Sequence, residues 1–228
     1  ASANMSAQPV PVPTASEFTV AGFNIENFQN DETQRRKAAL AIRQVLHDPD
    51  VLGHVEILNL ASLQALADQV NSDAVAAGDL NPQYVAQLVP ASPSATQNVG
   101  FLVKTSRVQI DEVSQEGAGE TYVNPLNGLP ETLHDRPPLV LKATVTMPGI
   151  SPRRVIAVVN HLRSFIGIEL IGGDGLRVRA KRTAQAESTA NLLQALQSAN
   201  PGVPVISIGD YNAYEFNDGY TDPIAILK

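Results

Sequence analysis

Polar side chains that could perform chemistry together stand at the ends of several predicted strands. They are Asn24, Glu56, Asn160, His161, Asp210 and Asn212. Strand ends from different parts of a sheet can converge in space, so these residues could form one site. Taken singly, a carboxylate after a strand is more often a turn or helix-capping residue. The case for a site therefore depends on the whole set.

The chemistry that these side chains share is the binding of a hard cation. Glu56 and Asp210 could hold Mg²⁺ or Mn²⁺, because these ions prefer carboxylate, amide and water oxygens. The sequence has no Cys, and its histidines do not have the spacing of a zinc site. The Gly-rich run 172–175 lacks the Lys and Ser/Thr of a nucleotide P-loop and is interpreted as a flexible loop.

Composition indicates a globular protein that does not bind its substrate through a broad basic surface. Of the 228 residues, 43% are hydrophobic and 17% are charged, which is typical of a folded domain. The formal net charge is −7, whereas proteins that bind DNA tightly and non-specifically usually carry a basic excess. Either the substrate is bound locally through a metal and a few arginines, or it is not a long polyanion. No apolar run approaches the roughly 18 residues needed to span a bilayer.

The chain is predicted to comprise a flexible N-terminal arm over residues 1–16 and one domain over 17–228. The arm is uncharged until its end and rich in Ala, Ser, Pro and Val. It has no basic start and no long apolar core, so it is not an intact signal peptide. It is interpreted either as the tail left after such a peptide is removed or as a disordered arm.

Hydrophobic patterns predict many short strands and a few helices. Strands are expected at Phe18–Asn24, Val51–Glu56, Tyr84–Val89, Val99–Lys104, Val108–Val113, Leu139–Met147, Val155–Asn160 and Val203–Ile208. Helices are expected from an N-cap at Asp31 to about His47, from Leu60 to Val70 and from Arg177 to Ser198. The run 116–136 is expected to be a long loop. This order favours the α+β class, a two-sheet β-sandwich flanked by helices.

Four basic residues near the start of the last long helix have two interpretations. They are Arg177, Arg179, Lys181 and Arg182. Cations there oppose the helix dipole by a few tenths of a kcal/mol each, which hints at a surface that faces phosphate. The alternative is a solvated charged face. Among the other histidines, His54 could touch the site, and His134 could face either solvent or substrate.

Six segments resemble, in order, the motifs of the endonuclease/exonuclease/phosphatase superfamily. They are FTVAGFNIENF (18–28), DPDVLGHVEILNL (48–60), NVGFLVKTSRV (98–108), DRPPLVLKATV (135–145), VVNHLRS (158–164) and VPVISIGDYNAYE (203–215). The EFNDGY run at 215–220 and the RTAQAE run at 182–187 favour the secreted, bacterial nuclease-like branch. Many relatives carry a Gln before the metal-binding Glu, whereas this chain has Val55.

The resemblance implies a metal-dependent phosphodiester hydrolase with a four-layer, deoxyribonuclease-like fold. It places Mg²⁺ (or Mn²⁺) on Glu56 with Asp210 and Asn24 near by. It makes His161, Asp210 and Asn212 catalytic, with His161 as a general acid or base, and gives phosphate contacts to Arg136 and Asn160. It also implies nucleic acid as the substrate and a secreted or periplasmic location.

The same resemblance predicts that the domain is incomplete at its C-terminus. Family members continue after the Gly-Asp-aromatic-Asn motif with further strands and an Asp-His pair, and no histidine follows His161 here. Two alternatives to a nuclease stay open: a phosphatase or lipid phosphodiesterase of the same superfamily, and a catalytically inactive binding module on this fold.

Overall fold

A computed structural model describes residues 7–228 and contains two packed β-sheets with helices outside them. The strands are β1 (Val20–Phe28), β2 (Val51–Ile57), β3 (Tyr84–Gln87), β4 (Asn98–Lys104), β5 (Val108–Gln115), β6 (Thr121–Val123), β7 (Pro130–Thr132), β8 (Leu139–Met147), β9 (Ile150–His161) and β10 (Val205–Asp210). The helices are α1 (Glu32–Gln44), α2 (Leu60–Ala76), α3 (Gly173–Ala199) and α4 (Pro223–Leu227).

The two large sheets pack face to face around an apolar core. The first has the strand order β1-β2-β4-β3 and the second β10-β9-β8-β5. Their facing sides contribute fully buried residues such as Val55, Phe101, Leu141 and Val159. The predicted α+β sandwich flanked by helices is confirmed.

Helices cover the outer faces of both sheets. Helices α1 and α2 pack Ile42 and Leu66 against Leu52 and Ile57 of β2. The apolar face of α3 lies on the second sheet, with Leu192 against the group that contains Ile156 and Val158. The predicted N-cap of α1 is confirmed, because the Asp31 side chain accepts a hydrogen bond from the Gln34 amide at 3.0 Å.

Parallel pairing brings polar strand ends to one edge of the sandwich. In the first sheet β1 runs parallel to β2, and Asn24 pairs with Val55. In the second sheet β10 runs parallel to β9, and Asp210 pairs with His161. The C-terminal ends of all four strands therefore lie at the same end of the molecule.

The two sheets approach each other closely just before this edge, and the spacing requires a glycine at position 53. A Cβ added to Gly53 would lie 2.5 Å from Ile208 Cδ1, and one added to Gly22 would lie 3.4 Å from the Gly209 amide nitrogen. A side chain at Gly53 would therefore push β2 away from β10, whereas a Cβ at Gly22 would make an ordinary contact. The narrow spacing is what lets residues of both sheets meet at the edge.

The predicted long loop contains a small hairpin, and the basic cluster is held by acidic and carbonyl partners. Strands β6 and β7 pair within residues 116–136. Arg177 pairs with Glu131, Lys181 with Asp135 and Arg182 with Asp218, while Arg179 donates to the Ile168 carbonyl. Both interpretations of the cluster were wrong: these cations fasten loops to α3.

The glycine-rich run is partly helical, since α3 begins at Gly173. Of the predicted N-terminal arm, residues 7–16 are described, and the Val10 amide donates to the Val45 carbonyl at 2.9 Å. No helix within residues 7–228 is long and apolar enough to cross a membrane. The expectation of further strands after Lys228 stays a prediction.

Candidate active site

Unusual backbone conformations cluster where the strands end. Glu56 and Asn212 adopt positive φ angles of 63° and 47°, and Glu26 and Asn27 adopt 42° and 51°. Non-glycine residues rarely occupy this region, and such strain concentrates at functional sites. At Glu56 the ladder between β2 and its neighbours is also interrupted. The distorted backbone aims the Glu56 carboxylate across the edge toward the second sheet.

Two carboxylates and an imidazole from the two sheets converge at this edge. One ligand atom each from Glu56, His161 and Asp210 lies within 4.8 Å of the others. Ligands that share a Mg²⁺ ion at bonds of about 2.1 Å are separated by roughly 3 to 4 Å. A small inward movement of the side chains would therefore suit one divalent ion. The two carboxylate donors match the oxygen chemistry that Mg²⁺ or Mn²⁺ prefers.

Asn24 lies between the two carboxylates and orients them. Its Nδ2 donates to Glu56 Oε1 at 3.0 Å and to Asp210 Oδ2 at 3.1 Å. Its Oδ1 accepts from the Glu26 amide at 2.8 Å, which fixes the amide in this direction. The donor nitrogen, and not the oxygen, therefore faces the carboxylates. In this arrangement Asn24 holds the two carboxylates side by side, and its predicted role as a metal ligand stays a prediction.

His161 is buried next to the acidic pair and is neutral at pH 7. Its side chain is 5% exposed, and Nε2 lies 4.0 Å from Glu56 Oε1. Burial and, to a smaller extent, the nearby Arg136 charge lower the pKa of His161 to about 4, against the opposing effect of Asp210 and Glu56. A histidine with an ordinary pKa would titrate near neutrality. A neutral imidazole can accept a proton but is not a ready acid.

A chain of hydrogen bonds connects Arg136 to the carboxylates. Arg136 Nη1 donates to Gln97 Oε1 at 2.9 Å, and Gln97 Nε2 donates to Asn27 Oδ1 at 2.7 Å. The Asn27 amide in turn donates to Glu56 Oε2 at 3.0 Å. Sequence reasoning missed Gln97 and Asn27, because a single side-chain amide carries no chemical signature of its own. Asn27 did lie within the quoted FNIENF run.

Asn212 lies beside Asp210 and shares an acceptor with Arg136. Its amide nitrogen donates to Asp210 Oδ1 at 2.8 Å, and its Nδ2 donates to the Leu162 carbonyl at 3.0 Å. Arg136 Nη2 reaches the same carbonyl at 3.5 Å. The structure thus brings Asn24, Glu56, Arg136, His161, Asp210 and Asn212 to one place.

Asn160 is the exception among the predicted site residues. Side chains alternate along β9, and Asn160 follows Ile156 and Val158 on the face that packs against α3. It is fully buried, and its Nδ2 donates to Ser207 Oγ at 2.9 Å. This position suits support of β10 from behind the site, not direct contact with a phosphate.

The remaining histidines lie elsewhere. His54 is fully buried in β2, with its ring 5.9 Å from that of Phe23. His134 Nε2 lies 3.0 Å from Ser188 Oγ, in a cavity that Glu116 and Glu120 also line. Neither belongs to the group around Glu56 and Asp210.

Solved structures share this fold at low sequence identity. The human Nocturnin catalytic domain with bound sulfate superposes with a TM-score of 0.55 at 17% identity, over 89% of this chain and 67% of that one. A β-hairpin deletion mutant of Staphylococcus aureus beta toxin gives 0.60 at 14% identity, over 93% and 73%. An endonuclease/exonuclease/phosphatase from Bacteroides vulgatus gives 0.53 at 13% identity, over 89% and 68%.

The chain therefore has the fold of the endonuclease/exonuclease/phosphatase superfamily. It spans about two thirds to three quarters of the length of these structures. No protein-family model and no curated protein matches it. The fold predicted from the six motifs is confirmed, and the chemistry has to be argued from the site.

Proposed function

We propose that this protein is a metal-dependent phosphodiester hydrolase that cleaves nucleic acid. The observation that carries the proposal is the meeting of Glu56 and Asp210, from separate sheets, beside a buried histidine and an arginine. Two anionic groups held together by Asn24 repel each other unless a cation or a proton lies between them. A divalent cation would satisfy both.

The residues present fit Mg²⁺ or Mn²⁺. Glu56 and Asp210 would hold the ion, and Asn24 and Asn27 would keep their carboxylates in place through the hydrogen bonds described above. When bound, such an ion supplies a Lewis acid that stabilises the charge which develops on a phosphoryl group.

The protein's own side chains would bind and align the phosphate. Arg136 is half-buried and cationic, and its guanidinium can donate charge-assisted hydrogen bonds to phosphate oxygens. Asn212 can donate from Nδ2 to a phosphate oxygen or orient a water molecule. Neutral His161 can accept the proton of the attacking water, so we assign it the role of base.

Nucleic acid is the preferred substrate because of the resemblance to the nuclease-like branch. The cations of α3 are paired with acidic or carbonyl groups, so they do not support a nucleic acid substrate. The net charge of −7 suits a smaller phosphoester as well. A phosphatase or lipid phosphodiesterase is therefore the second candidate. The resemblance also underlies our proposal that the protein is secreted or periplasmic.

A hydrolysis panel tests the function. With Mg²⁺ or Mn²⁺ present, we expect cleavage of plasmid DNA or RNA, little phosphate release from phosphomonoesters and little phosphocholine release from sphingomyelin. Glu56→Gln should abolish cleavage, whereas Glu112→Gln, an exposed partner of Lys142 on the distant strand β5, should not. Release of phosphate or phosphocholine without nucleic acid cleavage would establish the second candidate. Turnover of no phosphoester would support the inactive binding module.

A further inference from the structure

Three aromatic rings form a stacked ladder on the surface next to the candidate site. The ring centroids of Phe165 and Tyr214 are 5.2 Å apart with their planes tilted by 32°. Those of Tyr214 and Phe216 are also 5.2 Å apart, and their planes are only 4° from parallel. Tyr214 is 55% exposed and Phe216 is 66% exposed. Aromatic side chains this exposed are not contributing to the core, so their ordered stacking requires another explanation.

The inner end of the ladder is fixed to the body of the protein. The Arg182 guanidinium lies 4.3 Å from the centroid of Phe165. Arg182 is 1% exposed, and its Nη2 lies 3.3 Å from Asp218 Oδ2 while its Nη1 donates to the Arg163 carbonyl. The rings are therefore anchored from below, while Phe216 at the outer end presents its face to solvent. A surface that is already ordered loses little entropy when a flat ligand stacks on it.

The three rings belong to the same chain segments as the proposed phosphate-binding residues. Tyr214 comes two residues after Asn212, and Phe165 comes three residues after Leu162, whose carbonyl accepts from both Asn212 and Arg136. Arg163 lies between Leu162 and Phe165 in the sequence. Its side chain makes no ion pair or hydrogen bond to any part of the chain that the structure describes. Arg163 directly follows Leu162, whose carbonyl Arg136 contacts, and, besides burial, its positive charge contributes to lowering the pKa of Arg136. The segment from Leu162 to Phe165 therefore carries both the inner ring and a cation that has no partner within residues 7–228.

We propose that the Phe165–Tyr214–Phe216 ladder stacks an unpaired nucleobase of the substrate, and that Arg163 binds a phosphate that flanks the scissile one. This inference rests on the proposed nuclease function and gives it a substrate class: single-stranded nucleic acid or an unpaired stretch of a duplex. Bases inside a duplex are covered by their neighbours and cannot lie on the rings, whereas unpaired bases present their faces.

The chemistry of the surroundings favours a base over a lipid. Insertion into an acyl layer requires apolar area but no parallel arrangement of rings. Stacked planar rings with a free cation beside them match the flat base and charged backbone of a nucleotide.

The test compares two oligonucleotides of equal length and charge, one of thymidine and one of abasic sugars. Wild-type protein with Mn²⁺ should have a KM lower by roughly 5- to 100-fold for the thymidine strand, since stacking contributes about 1–3 kcal/mol per base. In Tyr214→Leu/Phe216→Leu this preference should fall to within about 2-fold, because leucine preserves apolar area but cannot stack. A 2-aminopurine placed in the strand should lose fluorescence on binding to wild type, and not on binding to the variant.

Tyr220→Leu is the matched control, because Tyr220 is a 48%-exposed tyrosine of the same loop whose ring contacts Arg179 instead of the ladder. It should retain the wild-type preference. Equal preference in wild type and the double variant, with normal cleavage in both, would overturn the stacking role while leaving the nuclease function intact. Cleavage of neither strand by wild type would instead contradict the proposed function.

Discussion

At the scale of single residues, His161 is the group whose chemistry depends most on its surroundings. Burial beside Arg136 lowers its pKa to about 4, so the imidazole is neutral at pH 7. If it accepts the proton of the attacking water, His161→Ala should lower kcat by about 10² or more. The measurement is nuclease turnover across the pH range. His47→Asn, at a half-buried position outside the site, serves as the control. Near-full activity in His161→Ala would show that another group accepts the proton.

A second residue-scale prediction concerns stability in acid. Burial lowers the pKa of His54 to about 3, whereas in the unfolded chain it takes its ordinary value of about 6.5. The unfolded state therefore binds the proton first, and folding stability is lost as pH falls below about 6.5. Each pH unit costs about 1.4 kcal/mol, or roughly 2 kcal/mol at pH 5. Denaturant unfolding at pH 7 and pH 5 measures this loss.

His54→Leu removes the titrating group. The free energy of unfolding should then differ between pH 7 and pH 5 by roughly 2 kcal/mol less than in wild type. His134 and His161, whose pKa values are also lowered, remain in both proteins and cancel in the comparison. An unchanged pH dependence in His54→Leu would contradict the assignment of a buried neutral imidazole.

At the scale of elements, α3 organises the loops that surround the site. Its Arg182 is paired in the interior with Asp218, whose carboxylate also accepts from the amides of Tyr220 and Thr221. Arg182→Met should cost about 3–5 kcal/mol, because it leaves Asp218 as a buried charge without its cation. Arg182→Met/Asp218→Asn should recover much of this loss. A double variant no more stable than the single one would show that packing, not charge, is what Arg182 contributes.

Sequence patterns predicted the elements better than the contacts between them. The N-cap at Asp31 and the strands at Val51 and Leu139 follow from local residue types, and the structure confirms them. The hairpin of β6 and β7 was missed because each strand has three residues within a Gly- and Pro-rich run. The partners of the α3 cations were missed because Glu131 and Asp218 are distant in sequence. Local chemistry cannot show such pairs.

The same limit applies to the candidate site. Glu56, Asp210 and His161 stand in motifs, so the sequence alone identified them. The direction of the Asn24 amide depends on its bond from the Glu26 amide, and the orientation of Asn160 depends on strand alternation beside α3. Both follow from geometry that a motif does not encode.

At the scale of the whole molecule, the site exists only because two sheets close on each other. Gly53→Ala would place a Cβ 2.5 Å from Ile208 Cδ1 and should cost about 1–3 kcal/mol through overpacking. Adding Ile208→Val removes that methyl group and should restore part of the loss. Denaturant unfolding of wild type and the two variants, with cleavage assayed in parallel, measures both effects. A Gly53→Ala protein as stable and active as wild type would mean that the sheet spacing is not critical.

The central claim is that Glu56 and Asp210 together hold one divalent cation. Calorimetric titration of Mn²⁺ and Mg²⁺ into wild type, Glu56→Gln, Asp210→Asn and Glu112→Gln tests it most directly. One ion should bind to wild type and to Glu112→Gln, and binding should weaken by at least about 10-fold in the other two variants, as for loss of a metal ligand or its close support. Equal binding in all four proteins, or none in wild type, would contradict the claim.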